Sequence, residues 1–191
     1  MASGADALGF NFYKRSARYI SPEKAAEICA KVPAFVTTVG LFVNEPLVDV
    51  NRILREVGLG LLQFHGDETP EYCESLGYPY MKALRATRGD QIKEEAQSFE
   101  SSQGILVDTA TDGQFGGTGK TFDWSLLPDL GQPLVLAGGL VAANVGAAIA
   151  ATHPYAVDVS GGVERSKGVK DMAEMKKFVE AVQAADRSSN E

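Results

Sequence analysis

The segment Leu61-Leu62-Gln63-Phe64-His65-Gly66-Asp67-Glu68-Thr69-Pro70-Glu71 joins a strand signal to a helix signal through a short polar loop. Leu61–Phe64 is a short apolar run of the kind that forms a buried strand. Thr69-Pro70-Glu71 places an N-cap residue before a proline at the first helical position, and the acidic residue that follows suits the helix dipole. The segment therefore predicts a β-strand followed directly by an α-helix.

The same alternation of strands and helices runs along the chain. Further strands are predicted at Ala7–Phe12, Val36–Phe42, Tyr80–Leu84, Ile105–Val107, Leu134–Ala137 and Ala156–Val159. Helices are predicted to begin at Ser21-Pro22-Glu23 and Thr69-Pro70-Glu71, and to lie near Val48–Val57, Gln91–Phe99, Trp124–Leu127, Ala142–Ala151 and Lys170–Ala184. Because parallel strands need crossover connections, which helices supply, the alternation predicts an α/β domain with a parallel sheet.

Two α/β architectures fit this alternation, an open doubly wound sheet and a closed barrel. Polar or glycine-containing segments follow five of the seven predicted strands, at Tyr13–Arg18, Gln63–Gly66, Asp108–Gly119, Gly138–Gly139 and Ser160–Gly162. An open sheet concentrates its site at a switch point, whereas a barrel gathers the carboxyl ends of all its strands around one mouth. The spread of these segments favours a (β/α)8 TIM barrel. We predict a single domain over residues 1–184 and a polar C-terminal tail over 185–191.

Composition narrows the classes of function. Among the 191 residues, 45% are hydrophobic, yet no run reaches the roughly 20 apolar residues that span a membrane. The 18 Lys and Arg against 25 Asp and Glu give a net charge of −7, which argues against a nucleic-acid partner. Cys29 and Cys73 are too few for a disulfide framework, and no leader precedes Gly9, so we expect a cytoplasmic protein. Nicotinamide, nucleotide and zinc-protease motifs are absent from the sequence.

A series of motifs in chain order carries a family resemblance. They are Gly4-Ala5-Asp6-Ala7-Leu8-Gly9-Phe10, Arg18-Tyr19-Ile20-Ser21-Pro22, Gly40-Leu41-Phe42-Val43-Asn44, Leu62-Gln63-Phe64-His65-Gly66-Asp67-Glu68, Asp108-Thr109, Gly116-Gly117-Thr118-Gly119-Lys120-Thr121-Phe122-Asp123-Trp124, Ala137-Gly138-Gly139-Leu140 and Val157-Asp158-Val159-Ser160. From about Ser3 to about Ala181 the sequence closely resembles the phosphoribosylanthranilate isomerase family.

The resemblance implies a (β/α)8 barrel that acts in tryptophan biosynthesis as an aldose–ketose isomerase, an intramolecular oxidoreductase. Its reaction is the Amadori rearrangement of N-(5'-phosphoribosyl)anthranilate to 1-(o-carboxyphenylamino)-1-deoxyribulose 5-phosphate, with neither a metal nor an organic cofactor. The partner implied is this small phosphosugar-anthranilate substrate, with no nucleic acid and no membrane. The family contains monomers and homodimers, and the sequence leaves both open.

The resemblance also implies roles for individual residues. Asp108 matches the general acid that protonates the ribose ring oxygen, a step that acid–base catalysis requires; a turn cap is the alternative role. Arg18 matches the arginine that faces the anthranilate carboxylate, a task suited to a planar bidentate donor. Gln63 and His65, which share one face of their strand, match pocket-lining residues. Asp158 matches an aspartate near the substrate, and a structural role in holding loop amides is equally compatible with the sequence.

Two glycine-containing loops match the phosphate site. They contain Gly138 and Gly139 after one strand, and Ser160, Gly161 and Gly162 after the next. Barrels commonly bind phosphate in the loops after their last strands, where glycine lets backbone N–H groups approach the oxygens. The family usually reads Ser-Ser-Gly where this chain has Ser160-Gly161-Gly162, so one hydroxyl is replaced by hydrogen. Tight strand-to-helix turns are the structural alternative for both glycine pairs.

The general base of the family is a cysteine in a Lys-Ile-Cys-Gly segment at the end of the first strand, and this sequence contains no such segment. Cys29 and Cys73 fall in predicted helices, where cysteines usually serve packing.

The 191 residues are short for a barrel of about 250. We therefore expect seven of eight strands, without the N-terminal strand and most of the first helix. An inactive phosphate-ligand-binding remnant is the alternative function, and an indole-glycerol-phosphate synthase a more distant one.

Overall fold

The structure is a computed structural model that describes residues 3–86, 89–109 and 124–188. Most of the Gly116–Trp124 motif, and the polar segment after Thr109, lie outside the described residues. Seven parallel strands follow one another in the order of the chain: β1 Ala7–Asn11, β2 Thr37–Phe42, β3 Leu61–Phe64, β4 Tyr80–Ala86, β5 Ile105–Thr109, β6 Leu134–Leu136 and β7 Ala156–Val157. The predicted strands are thereby confirmed, each end lying within two residues of its predicted position.

Six α-helices occur in the described part of the chain: α1 Pro22–Cys29, α2 Leu47–Glu56, α3 Pro70–Ser75, α4 Gly89–Gln97, α5 Val145–Thr152 and α6 Met172–Ser188. Both predicted N-caps are confirmed. The Ser21 hydroxyl accepts a hydrogen bond from the Lys24 amide, and the Thr69 hydroxyl accepts one from the Tyr72 amide. Each cap satisfies one of the N–H groups that a helix leaves unpaired at its start.

Two helices have a boundary more than two residues from its predicted position, and the helix predicted near Trp124–Leu127 is a single 3-10 turn, Trp124–Leu126. Helix α5 begins at Val145 rather than Ala142, because the Asn144 side chain bonds the Val141 amide and the Gly139 carbonyl and so holds the preceding residues in a turn. Helix α6 continues to Ser188, four residues into the predicted polar tail. Ala185 packs against the apolar cluster below α6, and this contact extends the helix. The helix therefore extends four residues beyond its predicted end at Ala184.

The first compact unit comprises residues 1–83 and 101–103. In its sheet, β2 pairs with β1 and with β3, so that Gly40 lies beside both Phe10 and Leu62. Phe12 stacks on Phe42 with ring centroids 5.3 Å apart. Phe64 meets the edge of Tyr72 at 5.6 Å, which joins β3 to α3. These aromatic contacts join β2 to the residue that follows β1, and β3 to α3.

The second compact unit comprises residues 84–100 and 104–191. Its parallel strands β5, β6 and β7 are in register through Val107 with Leu136 and Leu136 with Val157. An apolar cluster packs α5 and α6 beside β6; its buried members are Leu136, Leu140, Val145, Ala148, Ile149, Val163 and Phe178. The cluster includes Leu140 and Val163 from the loops after β6 and β7, and it therefore supports both loops from below.

An antiparallel hairpin follows β7 and was not predicted. Its strands, β8 Glu164–Ser166 and β9 Val169–Lys170, meet at a turn in which Gly168 has φ 81°. Lys170 donates to the Ser160 carbonyl at 2.8 Å and to the Glu164 carboxylate at 3.1 Å. The hairpin thus fixes the chain on the far side of the Ser160–Gly162 loop. Its strands are too short for a periodic pattern, which is why sequence analysis missed them.

We predict that Leu62→Ala lowers the free energy of unfolding by about 2–5 kcal/mol, because it opens a cavity at a fully buried position of β3. Leu126→Ala is the matched control, since Leu126 is 59% exposed and its truncation is expected to change stability by less than about 0.5 kcal/mol. Denaturant unfolding followed by circular dichroism measures both. Equal losses for the two variants would contradict the assignment of Leu62 to the core.

Candidate active site

The loop after β1 is fixed by its own polar side chains. The Asn11 side-chain oxygen accepts from the Tyr13 amide at 2.9 Å, and the Ser16 hydroxyl accepts from the Arg18 amide at 3.1 Å. These contacts give the backbone of Arg18 a defined position near the carboxyl end of β1, and Arg18 is half-buried. Lys14 and Arg15 are exposed, as expected for solvated loop charges.

Gln63 and His65 come together at the carboxyl end of β3. Gln63 is only 6% exposed, and its amide nitrogen lies 3.0 Å from Nδ1 of the His65 ring. A hydrogen bond between these two atoms joins the side chains of Gln63 and His65. The expected common face of these two residues is confirmed by their contact.

A buried ion pair lies directly beneath this strand end, and sequence analysis did not identify it. The Lys82 ammonium lies 3.1 Å from the Glu68 carboxylate, with side-chain exposures of 4% and 1%. A lysine within an apolar strand and a glutamate in the quoted motif were the signals that could have predicted the pair, because a buried charge needs an opposite charge nearby.

Asp108 and Asp158 lie in the second unit. Asp108 is half-buried on β5, one residue before the strand ends. Asp158 was predicted to lie on the last strand, but β7 ends at Val157 and Asp158 follows it as an exposed residue. Its amide still donates to the Leu136 carbonyl at 2.8 Å, which continues the ladder to β6 by one bond. The strand therefore ends earlier than predicted, while the position of Asp158 at its carboxyl end is retained.

The two glycine loops meet in the second unit. Gly138 and Gly139 adopt φ values of 90° and 64°, a region that favours glycine. A Cβ atom on Gly162 would overlap the Leu140 carbonyl oxygen, so the loop after β7 packs against the loop after β6 at that point. Asn144, which sequence analysis did not single out, binds Gly139 at 3.0 Å and holds the first loop. The two loops that contain the predicted glycine pairs therefore contact each other at Gly162 and Leu140.

Neither cysteine lies at the carboxyl end of a strand, as predicted. Cys29 is the half-buried last residue of α1, and Cys73 is fully buried in α3. Burial raises the pKa of the Cys29 thiol and raises that of Cys73 to about 12. Both thiols are therefore protonated near neutral pH, a state in which neither can accept a proton.

Within residues 3–86, 89–109 and 124–188, no group of three His, Cys, Asp or Glu side chains is arranged to hold a metal ion. Over the same ranges, no helix has the length and apolar character that a membrane crossing requires.

Comparisons with known proteins agree on one family. The family model of N-(5'phosphoribosyl)anthranilate (PRA) isomerase matches residues 1–181. The N-(5'-phosphoribosyl)anthranilate isomerase of Pseudomonas putida strain F1 is 54% identical over 184 residues, which cover 96% of this chain and 89% of the relative. The crystal structure of phosphoribosyl anthranilate isomerase from Thermotoga maritima matches with a TM-score of 0.89 at 40% identity, over 96% of this chain and 90% of that one.

A second solved structure contains a ligand. It is phosphoribosyl anthranilate isomerase in complex with reduced 1-(o-carboxyphenylamino)-1-deoxyribulose 5-phosphate, with a TM-score of 0.82 and 36% identity over 96% of this chain and 90% of that one. These matches confirm the predicted fold class, in which seven parallel strands alternate with helices as in the (β/α)8 barrels of this family. With a family model that spans nearly its whole length, the chain belongs to the N-(5'-phosphoribosyl)anthranilate isomerase family.

Proposed function

We propose that this chain converts N-(5'-phosphoribosyl)anthranilate to 1-(o-carboxyphenylamino)-1-deoxyribulose 5-phosphate in tryptophan biosynthesis. The observation that carries the proposal is the match of residues 1–181 to the isomerase family. The related structure that contains a reduced product analogue supports a small phosphosugar as the ligand. The contact between the two glycine loops of this chain supports the proposal that their backbone amides bind that ligand's phosphate.

Asp108 is proposed as the general acid. Its carboxyl group donates a proton to the ribose ring oxygen, the bond between that oxygen and C1' breaks, and the nitrogen electron pair forms a Schiff base. A base then removes the proton from C2', which gives an enol-amine that tautomerises to the ketose. No atom is gained or lost, so the whole reaction needs only well-placed proton donors and acceptors. Asp108 lies one residue before the end of β5, where barrel enzymes place such groups.

Binding is divided among the remaining predicted residues. Arg18 would hold the anthranilate carboxylate through its guanidinium fork, and Gln63, His65 and Asp158 would contact the body of the substrate. Backbone amides of Gly138, Gly139, Ser160, Gly161 and Gly162 would hold the phosphate. Such amides bind an anion without help from positive side chains, which suits a chain with a net charge of −7.

A second candidate function, binding of the same ligand without turnover, is favoured by the cysteines. The base implied by the family resemblance is a cysteine in Lys-Ile-Cys-Gly, whereas the two cysteines of this sequence lie in helices with raised pKa values. Turnover would then require another group to take the C2' proton. A direct assay separates the two functions, because both predict binding of the product analogue and only the isomerase predicts product.

The cellular setting is part of the same proposal. The free thiols of Cys29 and Cys73 suit the reducing cytoplasm, and the acidic net charge of −7 disfavours nucleic acid and anionic membrane surfaces as partners. A monomer and a homodimer both remain compatible with the family.

We predict that Asp108→Asn lowers kcat for freshly generated phosphoribosylanthranilate by about 10²–10⁴-fold, because an amide cannot supply the proton that opens the ring. Binding of the reduced product analogue, measured by calorimetry, should change little. Asp186→Asn, in α6, is a matched control with wild-type turnover expected. Turnover of Asp108→Asn at the wild-type rate would contradict the acid role, and wild-type binding without any product would establish the second candidate function.

Gly162→Ala is predicted to weaken phosphate binding, because its Cβ would overlap the Leu140 carbonyl and force the two glycine loops apart. The Kd for the product analogue should rise, whereas the Kd for anthranilate alone should stay the same. Gly58→Ala is the control, since nothing lies within 4 Å of a Cβ at that position. Unchanged affinity in Gly162→Ala would argue against the phosphate role.

Neither thiol is expected to act as the base. With the pKa of Cys73 raised to about 12 and its side chain fully buried, iodoacetamide at pH 8 should label Cys29 faster than Cys73 in the folded protein, and both rapidly after unfolding. Mass spectrometry of labelled peptides measures the two rates. Cys29→Ala and Cys73→Ala should keep the kcat of the parent protein, provided that thermal melting shows both variants to be folded. A loss of turnover in a folded variant would identify that thiol as catalytic.

A further inference from the structure

The Lys82 ammonium makes three hydrogen bonds around His65. It donates to the Phe64 carbonyl at 3.3 Å, to the Gly66 carbonyl at 2.5 Å and to the Glu68 carboxylate at 3.1 Å. An ammonium group has three N–H donors, so these acceptors satisfy it. The two carbonyls belong to the residues immediately before and after His65. A single buried charge therefore holds the backbone on both sides of the histidine.

The Glu68 carboxylate fixes the same loop from the other end. One oxygen accepts from the Asn44 amide at 2.7 Å and the other accepts from the Gly66 amide at 2.8 Å. Gly66 approaches Asn44 so closely that a Cβ atom on it would lie 2.5 Å from the Asn44 side-chain oxygen. The loop after β3 is thereby bound to the loop after β2. The His65 amide adds a bond of 2.9 Å to the Phe42 carbonyl.

The side chain that contacts the His65 ring, Gln63, lies on the other face of the sheet from Lys82. Lys82 is in register with Phe64, so its side chain leaves the sheet on the face opposite to that of Gln63. On that other face, the Gln63 amide nitrogen lies 3.0 Å from Nδ1 of His65. A hydrogen bond donated to Nδ1 leaves the ring proton on Nε2. The backbone is thus held from one side and the imidazole from the other. Lys82 and Glu68 therefore contact the backbone on either side of His65.

We propose that the Lys82–Glu68 pair is a positioning device that holds the His65 ring, with a proton on Nε2, at the carboxyl end of β3. Burying two charges costs desolvation free energy, and replacement of such pairs by neutral groups often leaves folding unharmed, so stability alone gives little reason to keep one. The three bonds around His65 supply a reason. The inference rests on the proposed function in one respect, because the ligand it names is the product of the isomerase. The tautomer of the His65 ring does not depend on that function.

The test uses imidazole nitrogen NMR on the 15N-labelled full chain. The sequence contains two histidines, and exposed His153 serves as an internal reference for His65. The parent protein should show His65 in one tautomer with the proton on Nε2. In Lys82→Met the buried carboxylate loses its partner, so we expect a lower Tm as well as a mixed tautomer. The double variant Lys82→Met with Glu68→Gln removes both charges and should recover much of the Tm while the mixed tautomer persists.

Turnover and ligand binding are measured for the same variants as the NMR spectrum. In the folded double variant we expect kcat/KM to fall roughly 10- to 100-fold, as for loss of precise placement in a site, and the Kd for the reduced product analogue to rise. Lys177→Met, which breaks an exposed pair with Glu174, is the control and should leave the spectrum and the kinetics unchanged.

Several outcomes would overturn the proposal. A parent spectrum with the proton on Nδ1 or in a mixture contradicts it without any variant. A folded double variant that keeps the tautomer and the kcat/KM of the parent protein also contradicts the proposal, because the pair would then affect neither the His65 ring nor the reaction. Absence of turnover in the parent protein would instead count against the proposed function, and the tautomer and the Kd for the product analogue would still decide the role of Lys82.

Discussion

Parallel pairing is the constraint on which the rest of this structure depends. A strand that runs parallel to its neighbour cannot be reached by a tight turn, so each connection must cross over, and here α1, α2 and α3 make the crossings of the first unit. Every crossover returns the chain to the same end of the sheet. Within each unit, the residues that follow strands therefore collect at one edge, which is why polar side chains there can act together.

The loops at these edges obtain their rigidity from different sources in the two units. In the first unit, buried charges and side-chain oxygens hold the backbone, as Glu68 does for Asn44 and Gly66. In the second unit, glycine permits direct contact between loops, and Leu140 and Val163 attach them to the apolar cluster.

Local signals predicted most of the fold. Short apolar runs and the caps at Ser21 and Thr69 located strands and helices, because both depend on residues adjacent in the sequence. The end of α6 was missed because it depends on the packing of Ala185 against residues distant in the sequence. The start of α5 was missed because the Asn144 side chain holds a local turn that the apolar pattern does not show. The residues of the candidate site were likewise predicted only in part. Residue types and order indicated Asp108 and the glycine loops through a family pattern, whereas the bonds of Lys82 depend on how β3 and β4 align, which no local pattern encodes.

The buried lysine also bears on how the chain finds its native pairing. Adjacent residues of a strand point to opposite faces, so a slip of β4 by one residue against β3 would move the Lys82 ammonium away from the oxygens of residues 64–68. An ammonium buried without acceptors is among the most unfavourable states a protein interior can contain. Apolar side chains tolerate such a slip far better, because one apolar neighbour replaces another. A single charge inside β4 thus disfavours a shifted alignment of β4 with β3 during folding.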